Sequence, residues 1–356
     1  MNNFREDDIL ILIGAGCSKE AGIPTSIDMV KEIEEKISKE EGKDYKELYH
    51  FLKSSILYAD GLQGKYGEEL NIERLVNTLS ELGKKEEHPI YPFISGWNSK
   101  IMELCGHNFE KIREFKSKII EQLKKWITLD DYSKASYYQK IIDFELSLGY
   151  PLRVFSLNYD LCLEKNFTQG QTLYLERGFN ASRNWEWQKF EKNENTPVNI
   201  YLYKMHGSID WEIKDEFLTF SDEISKIQEP SLIFGTNYKL QYVDPYLFFA
   251  YELRKYSLEA KLIITIGYGY GDEHINSIIA QAIRRKKENN LKAKLIINIF
   301  EENKKYSELE KNICEKLNIN NNNLIVLKNM RASEFLKSEL NIERLSENFL
   351  IRNGFD

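Results

Sequence analysis

The sequence predicts an α/β fold, a parallel sheet of about six strands flanked by helices, with a large inserted helical subdomain. Three observations predict it. Short runs rich in Ile, Val and Leu recur between amphipathic stretches, the pattern of strands buried on both faces and joined by helices. The first of these runs, Ile9 to Ile13, feeds directly into Gly14-Ala15-Gly16, a turn almost free of side chains. Between Ile13 and Arg153 no apolar run reads as a strand, whereas helical periodicity recurs.

Taken in order, the expected strands are Leu10 to Ile13, Arg153 to Leu157, Leu232 to Phe234, Leu262 to Ile266 and Leu295 to Phe300, with Leu324 to Leu327 as a sixth. The expected helices of the insertion are Ile27 to Glu41, Tyr45 to Tyr58, Ile72 to Leu82, Phe109 to Thr128 and Ser133 to Leu148. The whole chain, 1–356, is then one α/β domain, interrupted by a helical subdomain at 27–150 and a polar loop or small lid at 166–197. "NIERL" occurs at Asn71 and at Asn341, but the flanking residues differ, so the two copies read as helix starts capped by Asn rather than as a repeat. The second starts a C-terminal helix, Ile342 to Ile351. Asn320 to Asn323 reads as a turn.

Composition narrows the function. Of 356 residues, 42% are hydrophobic and 29% charged, which suits a packed core under a soluble surface. A net charge of -7 argues against direct nucleic-acid binding. No apolar run reaches the roughly 20 residues a bilayer crossing needs, and MNNFREDD lacks the basic start of a signal peptide, so a cytoplasmic protein without membrane contact is expected. Cys17, Cys105, Cys162 and Cys314 are far apart with no C-x-x-C pair; neither a disulfide framework nor a metal site is expected.

Four segments place polar chemistry just past a strand, where open α/β sheets hold their ligands. In the first, Gly14-Ala15-Gly16-Cys17-Ser18 either admits a phosphate to the main chain or merely turns the chain; the full G-x-G-x-x-G fingerprint is missing, since position 19 is Lys. The second puts Asn158 and Asp160 after Arg153 to Leu157. The third is His206-Gly207-Ser208-Ile209-Asp210-Trp211, and the fourth Gly267-Tyr268 with Asp272 and His274. Each has a plain structural alternative. Asn158 can form a turn, His206 can be a buried histidine bonded to main chain, Asp210 can close a turn, and Asp272 can cap a helix.

Gly14-Ala15-Gly16-Cys17-Ser18 with Gly22-Ile23-Pro24, Ser156-Leu157-Asn158-Tyr159-Asp160 and His206-Gly207 together resemble the SIR2 (sirtuin-like) family. The fuller motifs look most like the bacterial SIR2-like NADase branch of antiphage defence. The resemblance spans roughly residues 9 to 280. It implies a Rossmann-like domain that takes NAD+ as substrate and cleaves the nicotinamide–ribose bond, with Asn158, His206 and Asp160 catalytic. Gly14, Ala15, Gly16, Ser18, Gly22, Pro24, Gly267 and Tyr268 are then the cofactor-binding residues, Gly267 and Tyr268 on the adenosine side. The chemistry suits these types. Asn158 both donates and accepts toward ribose hydroxyls or water, Asp160 can orient it, and an imidazole serves as general base near neutrality. The cysteine pairs of zinc-bearing deacylases are missing, and Thr25-Ser26-Ile27 replaces their usual continuation after Gly22-Ile23-Pro24. No zinc is expected, and water becomes the acceptor. Two other readings stay open: a protein deacylase or ADP-ribosyl transferase, and a non-catalytic nucleotide-binding subunit of a nucleic-acid-processing complex. The resemblance also implies a homo-oligomer joined to a HerA-type ATPase or another defence-operon protein.

Overall fold

The computed structural model describes residues 4–67, 69–83, 99–106, 109–167, 173–191, 197–234, 244–288, 294–302, 304–319 and 325–349. These fall into two compact units, one of residues 1–23 and 128–356, the other Pro24–Ile127.

The first unit holds a seven-stranded parallel sheet: β1 (Ile9–Ile13), β2 (Leu152–Ser156), β3 (Leu175–Glu176), β4 (Ile200–Lys204), β7 (Leu262–Ile266), β8 (Lys294–Asn298) and β9 (Ile325–Lys328). Between β4 and β7 an antiparallel hairpin, β5 (Trp211–Lys214) with β6 (Phe217–Phe220), stands apart. The sheet order is β3-β4-β2-β1-β7-β8-β9. From β1 the chain builds outward on one side, then returns to β7 on the other, which is the doubly wound Rossmann-like arrangement with its switch point between β1 and β7. Strands β1, β2, β4 and β7 are buried along their whole length, as central parallel strands must be when helices cover both faces.

The sheet has one strand more than expected, because two were not read as strands and one expected strand is absent. In Ile200-Tyr201-Leu202-Tyr203-Lys204 a terminal lysine disguises a fully buried strand, and β3 is only two residues long. Leu232 to Phe234 does not join the sheet: it crosses the turn after β4, where Leu232 makes a single antiparallel bridge to Gly207. Residue 324 and the run Asn320 to Asn323 lie outside the described residues. The stretch 166–197 is tied down where it is described. β3 pairs with β4, and Phe190 stacks on Tyr203 at 4.6 Å within an aromatic cluster that includes Phe155, Trp211 and Phe249.

The second unit contains the helices Ser26–Ile37, Lys46–Leu62, Ile72–Gly83, Ser99–Cys105 and Glu110–Ile127. Thr25 and Asp28 form a reciprocal capping box at the first, and Asn71 Oδ1 accepts the Arg74 N–H at 2.9 Å as the expected cap of the third. Arg74 clasps Asp60 with two bonds of 2.8 and 2.6 Å. The unit ends at Ile127 rather than running to 150. The segment 128–148 forms a tight 3-10 turn, Tyr132–Tyr138, and the helix Gln139–Leu148, both packed on helices of the sheet unit.

Glu145, buried on that last helix, accepts from Asn199 Nδ2 at 3.1 Å with each oxygen. Burial pushes its carboxyl up to about 7, against the smaller opposing effect of the Asn199 bond. An acid raised in the folded state favours folding while protonated, so stability is lost as pH rises from the unfolded value through 7. Glu145→Gln is therefore expected to stabilise the protein at pH 8 by about 1–2 kcal/mol, a figure discounted for partial solvation. Thermal melts should show the gain shrinking toward zero by pH 5.

Candidate functional site

The parallel register brings the strand ends to one level. Ile13 pairs with Ser156 and Ile266, Ser156 with Lys204, and Ile266 with Asn298. Gly14, Asn158, His206 and Gly267 each lie one or two residues beyond that row, so the sheet delivers them to one rim. Neighbouring strands stand about 4.8 Å apart, which sets the scale of the separations between these turns.

The glycine turn docks on the turn after β7. Gly14 donates to the Ile266 carbonyl and Gly16 to the Gly267 carbonyl, both at 2.9 Å. A Cβ on Gly14 would meet Gly267 O at 2.7 Å, and one on Gly16 would meet it at 2.9 Å. The small residues thus serve first to let two backbones touch. The N–H groups of Gly14, Gly16, Cys17 and Ser18 all bond to carbonyls. Two short 3-10 turns, Ala15–Cys17 and Lys19–Ala21, follow the glycine turn. Ala15 is exposed, Gly22 ends the second turn at φ 96°, and Pro24 begins the helical unit.

Ser18 is fully buried, and its side chain makes no helix-cap bond. Its hydroxyl donates to Asp160 Oδ2 at 2.7 Å, so its lone pairs receive Asn158 Nδ2 at 3.0 Å and the Tyr138 hydroxyl at 2.7 Å. The other oxygen of Asp160 accepts the Cys162 N–H at 2.9 Å, opening the short helix Cys162–Phe167. The order of donation fixes the amide of Asn158. Its NH2 group faces Ser18, and its Oδ1, in a side chain 6% exposed, has no partner. Asp160 orients Asn158 through Ser18 rather than by contact.

His206 is 3% exposed. Its Nε2 lies 3.1 Å from Asp272 Oδ2, and Nδ1 has no partner. A carboxylate only accepts, so Nε2 carries the proton and the Nδ1 lone pair is left as the basic site. Asp272 also caps the helix Glu273–Glu288, its Oδ1 accepting from the N–H groups of His274 and Ile275 at 3.0 and 3.3 Å. It does both jobs, where capping alone was the stronger expectation. Tyr268 is buried and faces the start of that helix: its hydroxyl donates to Asn276 Oδ1 at 2.8 Å and accepts the Asp272 N–H at 3.3 Å. Asp210 is held by Arg177 Nη2 at 2.8 and 2.9 Å.

Asn158 and His206 come from adjacent turns bonded to each other. Ile209 N–H donates to the Tyr159 carbonyl at 3.0 Å, and the rings of Tyr159 and His206 lie 6.4 Å apart. Tyr159 donates to the Ile233 carbonyl at 2.8 Å, while the Ile233 N–H donates to the His206 carbonyl at 2.9 Å. Tyr138, Lys204, Glu164 and Arg177 were not read as site residues; of these only Lys204, a charge inside an apolar run, left a mark in the sequence.

No thiol serves as a nucleophile here. Burial pushes Cys17 up to about 12 and raises Cys162, so both stay protonated at neutral pH. Among the described residues no group of three or more His, Cys, Asp or Glu could hold a metal ion, and no helix is long and apolar enough to cross a membrane.

Residues 152–321 match the SIR2-like domain family. The match runs from β2 to just past the helix Tyr306–Leu317 and contains Asn158, Asp160, His206, Gly267 and Tyr268; the glycine turn precedes it. No curated protein matches the sequence. Among solved structures, the chain is similar to a Sir2 enzyme studied for its mechanism and regulation, at 14% identity over 95% of this chain and 93% of that one, with a TM-score of 0.42. It is also similar to Sir2 in complex with an inhibitor, 2'-O-acetyl-ADP-ribose and a deacetylated p53 peptide, at 13% identity over 92% and 90%, TM-score 0.38. A Sir2–p53 peptide–NAD+ complex gives 11% identity over 92% and 90%, TM-score 0.37.

Proposed function

We propose that the SIR2-like domain of this chain hydrolyses NAD+ to nicotinamide and ADP-ribose, and that the protein is an NAD+-depleting effector of antiphage defence. One observation carries the reading: Asn158 Oδ1 and His206 Nδ1 are buried on neighbouring turns of the rim without partners. Buried polar atoms are rarely left unsatisfied unless a ligand or water completes them. An acceptor oxygen on one turn and a basic nitrogen on the next suit the task of holding a water or ribose hydroxyl and removing its proton. Both atoms accept from a water; His206 Nδ1 takes one proton as the oxygen attacks the ribose C1′, and nicotinamide leaves as a neutral molecule. Asn158 Oδ1 also places partial negative charge near a ribose that becomes cationic in the transition state.

NAD+ enters as the substrate, and its adenosine and phosphates fall to the switch point between β1 and β7, where Gly14, Gly16 and Gly267 meet. Ala15, Gly22 and Pro24 remain proposed NAD+-binding residues. Assembly into a homo-oligomer with a HerA-type ATPase or a neighbouring defence protein belongs to the same proposal. It supplies the restraint that an NAD+-consuming enzyme requires.

The test is direct. Purified protein, alone and with the product of its genomic neighbour, is incubated with NAD+ while free nicotinamide is followed by chromatography. Release with equimolar ADP-ribose is expected; release only when an acylated peptide is present points to a deacylase, and none under any condition removes the enzymatic reading.

A further inference from the structure

Lys204 ends β4 with its ammonium 1% exposed, an expensive place for a charge unless other groups compensate it. The compensation is a chain of alternating charges. Lys204 Nζ donates to the main-chain carbonyl of Asp160 and lies 3.4 Å from Glu164 Oε1. That same oxygen is 3.8 Å from Arg177 Nε, and Arg177 holds both oxygens of Asp210. Two cations and two carboxylates balance. Lys204 ends the strand that leads to His206 and reaches across to the turn that carries Asn158, and the chain returns to Asp210 on the His206 turn.

We propose that Lys204 is a positioning residue, which with Glu164, Arg177 and Asp210 sets the Asn158 turn against the His206 turn. Main chain alone joins the turns thinly, through the Ile209 to Tyr159 bond at 3.0 Å and the Met205 to Ser156 bond at 2.9 Å. The short helix Cys162–Phe167 would otherwise fix Asn158 only through the Asp160 cap. Lys204 adds a charge-assisted clamp at the carbonyl of Asp160, whose carboxyl orients Ser18 and so the amide of Asn158. An apolar side chain at the end of a buried strand would pack without cost, and replacing buried ion pairs by apolar groups is often neutral or stabilising. Retaining four charges here therefore points to geometry rather than stability. Errors of about 1 Å between reacting groups cost about 10²-fold in rate.

The inference rests on the NAD+-cleaving reading for its kinetic test but not for its spectroscopic one. The full chain is compared with Lys204→Met/Glu164→Gln, which removes one charge of each sign. The double variant is expected to melt near the wild type, to lose about 10²-fold in kcat for nicotinamide release, and to keep KM within about threefold. If the double variant does not fold, Glu164→Gln alone, which preserves shape, is expected to lower kcat about tenfold at constant KM. In parallel, side-chain NMR of isotopically labelled protein follows the imidazole of His206 and the amide of Asn158, with His50 in the helical unit as the control. Both site signals should shift in the variant while His50 stays. A folded variant with wild-type kcat, or with unmoved His206 and Asn158 signals, overturns the proposal. Should the wild type release no nicotinamide, the NAD+ reading fails and the NMR comparison alone decides the positioning role.

Discussion

His206→Ala is expected to lower nicotinamide release at saturating NAD+ by about 10²–10⁴-fold, the range that a positioned general base contributes. The loss should fall on kcat, because in the proposed reaction the buried imidazole acts on the attacking oxygen rather than on the bulk of the dinucleotide. Asn158→Ala should cost about 10²-fold or more, since it removes the unpartnered amide oxygen that faces the developing charge in the proposed reaction. Asp272→Asn is informative as a third variant. A carboxamide can turn its NH2 toward Nε2, which shifts the imidazole proton to Nδ1 and removes the basic lone pair from the site while leaving the helix cap in place. A steady-state comparison of the three, with folding checked by circular dichroism, settles the assignment. Wild-type rates in His206→Ala would sink it.

Gly267→Ala is expected to destabilise the sheet unit by about 3 kcal/mol or more, a large share of the stability of a typical domain. The Cβ would sit 2.1 Å from the Cys17 nitrogen and 2.5 Å from the Gly16 carbonyl carbon. Both are main-chain atoms of a loop bonded to the same turn, so neither can swing away as a side chain would. The position is also left-handed, φ 64°. Gly22→Ala separates the two causes: φ there is 96°, yet nothing lies within 4 Å of the added carbon. Its cost should be about 1 kcal/mol, from the backbone alone. Urea titrations of the two variants check both figures; similar midpoints would show that the clash at 267 is relieved by movement of the loop.

The central strands and the rim turns were legible in the sequence because local pattern carries them. Uninterrupted Ile and Leu runs specify β1 and β7, Asn158 announces itself by standing just past an apolar run, and His206 by its place in His206-Gly207-Ser208-Ile209-Asp210-Trp211. What was not legible depends on partners far away along the chain. Nothing local says that Ser18 will give its proton to Asp160, because that bond joins residues made 142 positions apart. Nor does the sequence around Asp272 reveal His206 as its partner, 66 positions away. β4 was hidden by Lys204, whose charge argues against a buried strand until its carboxylate and carbonyl partners are seen. The edge of the helical unit was misplaced for a related reason. The helix Gln139–Leu148 carries helical periodicity like those before it, and only tertiary contact assigns it to the sheet unit.

The order of the strands has a consequence for how the protein is born. β1 is made before its two lateral neighbours, which begin at Leu152 and Leu262, so one of its edges stays open until the first is made and the other until the second. The junction of Gly16 with Gly267, and the bond from Asp272 to His206, cannot form until residues 267 and 272 have emerged. A nascent fragment is therefore inert at this rim, a useful property in any protein whose finished form would endanger the cell that makes it.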